Sequence, residues 1–294
     1  MDKLEKVSKN CILCGSMERE SLMEQDSWKA YRCTSCGLGF LDPRPTKQYM
    51  AELYRREYFA EQYDEGVDPD SQEFRKWLSL LDHRVRFFRH KKKKGKLLDI
   101  GCGNGYFMGL CRNKGYEVQG VDISAWAAKY ATEKLGFQVT VGEIEDVNMP
   151  TRFFDIITMW HFLEHTRNPL KVVQKASTWL KRDGVLIIEV PNYDGTDARG
   201  YAENWIGWQF PYHFYHFTPE TQQKLLQKSG FRIIKKKDYH SERVKSSLKR
   251  IPAVSLFSRL IARLYSGTSV AMLAVRDDKL ENKSGTTKHL TGFT

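Results

Sequence analysis

The chain has 294 residues, 41% hydrophobic and 13% aromatic, enough to bury one large core or a medium core with an appendage. That excludes global disorder, and no apolar run approaches the roughly 20 residues needed to cross a bilayer. The net charge of +11 is uneven: basic and acidic side chains number 7 and 7 in 1–45, 13 and 9 in 46–96, 11 and 13 in 97–200, and 16 and 7 in 201–294. A protein that coats nucleic acid would often be basic throughout its fold, so an anionic partner is a question for the last third. The opening stretch MDKLEKVSKN is charged, with no apolar signal-peptide region, and a cytoplasmic setting is expected. Six cysteines in a reducing compartment call for a use other than disulfides.

Four of them have one. Cys11-x-x-Cys14 and Cys33-x-x-Cys36 are 18 residues apart, and each pair is followed by a glycine, Gly15 or Gly37. Such pairs present two thiolates from one tight turn, and two turns make a tetrahedral Zn2+ site. Residues 1–45 are therefore expected to form a small zinc ribbon, with WKAYRC (28–33) as a strand entering the second turn. Four protein ligands leave no open position, so this zinc is structural. Next, DPRPT (42–46) breaks the chain, and 46–95 reads as a helical cap and linker. Within it Phe74, Trp77, Leu78, Leu81, Val85 and Phe88 recur at helical steps, and HKKKKGK closes it as a solvated connector.

GKLLDIGCGNGYF (95–107) is a short apolar strand ending in Asp99, then Gly101-x-Gly103-x-Gly105, then a helix. The spacing is neither the dinucleotide pattern nor a P-loop. A second strand, EVQGVDIS, ends at Asp122, the distance at which an α/β fold grips ribose hydroxyls. A carboxylate can accept from both hydroxyls at once. A fourth strand runs from Phe153 to about His161, and a fifth, GVLIIEVPN, ends at Asn192.

LLDIGCGNG, GVDIS, FDIITMWHFLEH and LKRDGVLIIEVPN together resemble the successive motifs of class I S-adenosylmethionine-dependent methyltransferases, over roughly Lys96 to Phe231. The resemblance implies an α/β, Rossmann-like doubly wound seven-stranded sheet over 96–240, with S-adenosylmethionine as cofactor. It implies that Asp99, Gly101, Cys102, Gly103 and Gly105 line the methionine and ribose. Asp122 would hold the ribose hydroxyls, Ile123 would lie beside the adenine, and Glu143 and Ile144 at its edge. Trp160, closing the fourth strand, joins the cofactor set. A four-cysteine ribbon ending CGLGFLDPRP before such a domain also resembles a bacterial subgroup associated with surface-polysaccharide and natural-product biosynthesis. The Asn/Asp-Pro-Pro-Tyr/Phe motif of amide and base N-methylation is replaced here by WHFLEH (160–165).

WQFPYHFYHFTPE (208–220) gathers six aromatics and two histidines after the fifth strand. It reads either as a hydrophobic plug or, with 193–220, as a lid that walls donor and acceptor off from water. Methyl transfer to oxygen or nitrogen needs a proton acceptor, for which His213, ahead of His216, is the candidate. Glu164-His165 reads as a loop tether first and as an acid/base pair second. Thr218-x-x-Thr221 with Pro219 should start a helix closed by Gly230.

From Lys224 to Arg263 twelve basic residues face two acidic ones, and Val244, Leu248, Ile251, Phe257, Leu260, Ile261 and Leu264 fall on helical spacing around Pro252. The segment 241–276 should be a core-facing basic helix with a last strand at SVAMLAV. The alternative is an amphipathic element on an anionic membrane face or a phosphorylated substrate. The stretch 277–294 reads as a disordered tail. The expected acceptor is a small molecule or saccharide, O-methylated, with an anionic one fitting the charge. RNA modification through ribbon and basic tail is the second reading.

Overall fold

The computed structural model describes residues 3–53 and 67–277. All of the expected tail but its first residue, 278–294, and the middle of the cap, 54–66, lie outside the described residues. The ribbon is a meander of β1 (Arg19–Gln25), β2 (Trp28–Cys33) and β3 (Gly39–Leu41). The cap supplies α1 (Lys47–Leu53) and α2 (Gln72–Phe88). The Ser71 hydroxyl accepts from Phe74 N–H at 3.0 Å and so satisfies one of the orphan donors at the start of α2. Phe74, Leu78, Val85 and Phe88 of α2 are buried as the periodicity demands, while Trp77 stays 44% exposed.

The main domain then alternates strand and helix: β4 (Gly95–Ile100), α3 (Tyr106–Asn113), β5 (Tyr116–Asp122), α4 (Ala125–Glu133), β6 (Gln138–Val141), β7 (Phe154–Trp160), α5 (Pro169–Trp179) and β8 (Leu180–Pro191). Asn168 caps α5, accepting from Lys171 N–H at 3.0 Å, with Pro169 in the first turn. After α6 (Thr196–Tyr201) and the two-residue β9 (Tyr215–His216), α7 (Pro219–Lys228) leads into β10 (Phe231–His240). The reciprocal Thr218–Thr221 cap starts α7 as expected. Short helices α8 (Glu242–Lys249), α9 (Pro252–Ser255) and α10 (Ser258–Ala262) precede β11 (Ser266–Arg276).

The seven-stranded sheet has the order β10-β11-β8-β7-β4-β5-β6. Pairs from β8 to β6 are parallel, and β11 runs antiparallel between β8 and β10. Parallel strands covered on both faces must be apolar throughout, and Leu97, Leu98, Ile100, Ile156, Ile157, Leu186, Ile187 and Ile188 are all fully buried. Strand order reverses between β4 and β7, and in open α/β sheets the crevice beyond the carboxyl ends at such a point holds the ligand.

The ribbon does not stand apart. β9 pairs with β3 (Tyr215 with Phe40, His216 with Gly39), adding a fourth strand to the ribbon sheet. Leu13, Leu38 and Leu41 share one core with Ile100, Phe214, Tyr215 and Phe217. The expected core-facing helix over 241–264 is a correction: its pieces α8 and α9 bury no residue, and Leu256, Phe257, Leu260 and Leu264 are 58–88% exposed. Among the described residues no helix is long and apolar enough to cross a membrane.

Candidate active site

Two cavities of about 460 and 520 Å³ open along the carboxyl edge of the sheet, and His165 lines both. The first lies over the tip of β5. Asp122, Ile123, Glu143 and Ile144 line it together with Phe162, Arg167 and Phe214. Asp122 is 8% exposed; one carboxylate oxygen accepts from Gly103 N–H and the other from Ser124 N–H, both at 2.8 Å. These bonds aim the carboxylate, and burial still lifts its pKa above the ordinary value. Glu143 is ion-paired to Lys47 of α1, so the cap closes this cavity on one side.

The second cavity lies over β4 and β7. Asp99, Gly101, Cys102, Gly105, Trp160 and His213 line it, as do Arg84 of the cap and His161. Asp99 is 2% exposed and accepts from the Thr158 hydroxyl at 2.6 Å; burial pushes its pKa up to about 7. Gly101 turns at φ +78°, and a Cβ there would stand 2.6 Å from the Phe162 ring. Only glycine lets the loop, which lines the second cavity, pass under a ring that lines the first.

Behind this cavity is a polar network. Glu189, 4% exposed within apolar β8, accepts from His161 Nε2–H at 2.8 Å and from the Tyr239 hydroxyl at 2.5 Å, and Arg84 stands 3.8 Å away. Burial alone would raise Glu189, but His161 and Arg84 outweigh it and hold it near 2. Burial alone would lower His161, yet its contacts with Glu164 and Glu189 raise it to about 9, so it carries charge at neutral pH. His161 also sits at φ +53°, an uncommon conformation for a non-glycine residue and one that clusters at functional sites. Neither residue was singled out by motif; a glutamate inside LIIEV was the signal in the sequence.

The aromatic stretch has both faces of the expected pair. Trp208, Tyr215 and Phe217 are buried, and Phe214 N–H donates to Glu164 O at 2.8 Å while Leu41 N–H donates to Phe214 O at 2.9 Å. That seam ties ribbon, lid and the β7 loop together. Phe214 faces the first cavity and His213 the second. His213 Nδ1–H donates to Gly207 O at 2.9 Å, and burial drops its pKa well below the imidazole range. His165 Nδ1–H donates to Tyr212 O at 3.1 Å, and burial lowers it likewise. His216 is a correction: it lines neither cavity and is packed edge-on against the Trp208 and Phe210 rings, with burial holding it at about 3.

The four ribbon cysteines converge as the spacing predicts. Cys11 and Cys36 sulfurs lie 3.6 Å apart and those of Cys14 and Cys33 3.5 Å apart, and any two of the four lie within 4.8 Å. Gly15 and Gly37 N–H close each turn onto the carbonyls of Cys11 and Cys33 at 2.8 Å. A thiolate tetrad of this kind suits a tetrahedral soft cation.

Residues 50–236 match the family model described as a methyltransferase domain. An uncharacterised protein of Methanocaldococcus jannaschii is 29% identical over 178 residues, 60% of this chain and 80% of that one. The ubiquinone biosynthesis O-methyltransferase of Actinobacillus pleuropneumoniae is 36% identical over 107 residues, 33% of this chain and 46% of the enzyme. The chain thus spans under half the length of the ubiquinone-pathway relatives it matches. A SAM-dependent methyltransferase from Archaeoglobus fulgidus superposes with a TM-score of 0.54 at 23% identity, over 75% of this chain and 99% of that one.

Proposed function

We propose, for a chain that belongs to the S-adenosylmethionine-dependent methyltransferases, that it methylates a hydroxyl of a small molecule or saccharide held in the second cavity. The observation that carries this reading is the pair of cavities that share His165, one faced by Asp122 and the other by Asp99. Two buried carboxylates whose pKa values are raised by burial are underneutralised, and they fit a donor with a sulfonium and an ammonium group. When bound, the donor supplies an electrophilic methyl group.

The chain's own residues then have distinct tasks. Asp122, fixed by two backbone amides, accepts from the ribose hydroxyls, and Ile123 and Ile144 face the adenine. Asp99 accepts from the ammonium end. Phe162, Phe214 and the lid wall exclude water from the reacting groups. His213 and His165, both neutral at pH 7, address the acceptor's hydroxyl. The likeness to O-methyltransferases and the absence of an Asn-Pro-Pro-Tyr type motif support oxygen as the acceptor atom.

We also assign a structural Zn2+ to Cys11, Cys14, Cys33 and Cys36, where it would stiffen the sheet that β9 joins. The exposed Ile251, Leu256, Phe257, Leu260 and Leu264 beside Lys249, Arg250, Arg259 and Arg263 fit contact with an anionic membrane surface. The reading is tested by calorimetry with S-adenosylhomocysteine, followed by methyl-transfer assays on phenols, sugar nucleotides and RNA transcripts. Binding together with transfer to a phenol or sugar hydroxyl supports it. Transfer to RNA alone replaces it, and failure to bind the product refutes it.

A further inference from the structure

The mechanism leaves one group unexplained. Glu164 is fully buried, and among the described residues neither of its carboxylate oxygens accepts a hydrogen bond. Its nearest cation is His161, whose Nδ1 stands 3.4 Å from Oε1 and whose other nitrogen is committed to Glu189. A carboxylate left in this condition is costly unless something positive shares its site. Close to it also stand His165 and His213, with ring centroids 4.5 Å apart at 83°. One ligand atom each from Glu164, His165 and His213 fall within 4.8 Å of one another.

We propose that Glu164, His165 and His213 form a site for a divalent first-row transition cation facing the acceptor cavity. Both imidazoles donate Nδ1–H to main-chain carbonyls, of Tyr212 and Gly207, which is the bonding that fixes a ligand histidine's tautomer and turns Nε2 to the metal. The backbone bond from Phe214 N–H to Glu164 O holds the two loops that carry the ligands in register. Ligand atoms on a tetrahedral zinc are about 3.3 Å apart, so side-chain rotation has at most about 1.5 Å to close. Two imidazoles and one carboxylate favour zinc, manganese, iron or cobalt over magnesium, which prefers oxygen. Three protein ligands leave positions open to the cavity, unlike the closed cysteine tetrad.

The inference rests on the O-methyltransferase reading and deepens it. Imidazoles as deeply buried as these are weak proton acceptors. A cation that holds the acceptor's hydroxyl lowers that hydroxyl's pKa, and its proton leaves to solvent. The oxygen then forms a bond to the methyl carbon as the carbon–sulfur bond breaks, the electron pair going to sulfur.

The full-length protein is stripped with chelator and titrated with Co2+, with uptake counted by metal analysis and by absorption. Cobalt on cysteines carries intense thiolate charge-transfer absorption; cobalt on imidazole and carboxylate shows only weak visible bands. Wild type should take up one equivalent that adds no thiolate absorption. Glu164→Gln and His213→Ala should lose that equivalent alone, and His216→Ala should keep it. Melting curves and S-adenosylhomocysteine affinity identify any variant that has lost its fold, in which case Glu164→Asp, which only retracts the carboxylate, should weaken uptake instead. Cobalt confined to thiolate sites in wild type overturns the proposal, as does an extra equivalent that survives in both cluster variants. Product binding without this cobalt refutes the cation site and spares the methyltransferase reading; cobalt uptake without product binding does the reverse.

Discussion

Replacing Asp99 by asparagine should make the protein more stable and the donor site weaker. Burial at 2% exposure moves the Asp99 carboxyl from an ordinary 3.8 to about 7. At about 1.4 kcal/mol for each tenfold change in proton affinity, that rise corresponds to about 4 kcal/mol. The folded pKa is raised, so the wild type's stability is fully present below about pH 4 and is lost as pH rises through about 7. Asparagine has no such loss and can still accept from Thr158, but a buried amide has its own desolvation cost of about 1–3 kcal/mol. The net gain expected above pH 7 is therefore about 1–3 kcal/mol, a rise of several degrees in Tm, and it falls with pH until near pH 4 only the amide's own cost remains and the variant is the less stable protein. A charge-assisted bond to the ammonium of about 1.5–3 kcal/mol would go, weakening S-adenosylhomocysteine roughly tenfold to a hundredfold. The assays are thermal melts at several pH values and calorimetry at pH 8. A variant no more stable than wild type at pH 8 would refute the electrostatic argument, and unchanged affinity would remove Asp99 from the donor site.

Asp122→Ala should cost about 1–3 kcal/mol of product binding by leaving ribose hydroxyls unpaired, read by the same calorimetry; an unchanged constant places the ribose elsewhere. His213→Ala should lower turnover by roughly 10²–10⁴-fold with donor affinity preserved, while His216→Ala, wedged between Trp208 and Phe210, should lower Tm and leave the rate of the folded fraction alone. The reverse pattern exchanges the two roles. Protein purified without chelator should carry one zinc on the ribbon, and Cys33→Ser should lose both that metal and thermal stability; full retention of either counts against the site. Anionic vesicles should co-sediment the protein and neutral ones should not, and Leu256→Asp with Leu260→Asp should abolish the difference.

Much of this architecture is legible because its signals are local. Gly101, Gly103 and Gly105 after an apolar strand, and an acidic residue closing the next strand, are fixed by chain direction and by what parallel strands must bury. The cysteine turns are likewise short-range, each closed by one glycine. Partners brought together by topology are not legible. Glu189 sits on β8 and His161 just past the end of β7, and no spacing relates them; Arg84 reaches Glu189 from a helix whose periodicity advertises only its buried face. The exposure of Leu256 and Leu260 was hidden for a related reason. Helical spacing shows that residues share a side, and says nothing of whether another element covers it.

The same distinction explains why WQFPYHFYHFTPE had two answers. The stretch must do two jobs, because β9 is the outer edge of the ribbon sheet while His213, two residues earlier, lines the acceptor cavity. The labour is divided by position: His213, ahead of the strand, turns toward the cavity, Tyr215 and Phe217 enter the shared core, and His216 packs against Trp208 and Phe210. Phe214 N–H and C=O then join Glu164 of the β7 loop to Leu41 of the ribbon. If the cysteine tetrad holds the proposed Zn2+, losing it would loosen β3, with which β9 pairs. On this geometry the proposed zinc site, some distance from the cavities, would govern the placement of His213 through the buried aromatic residues of the same stretch.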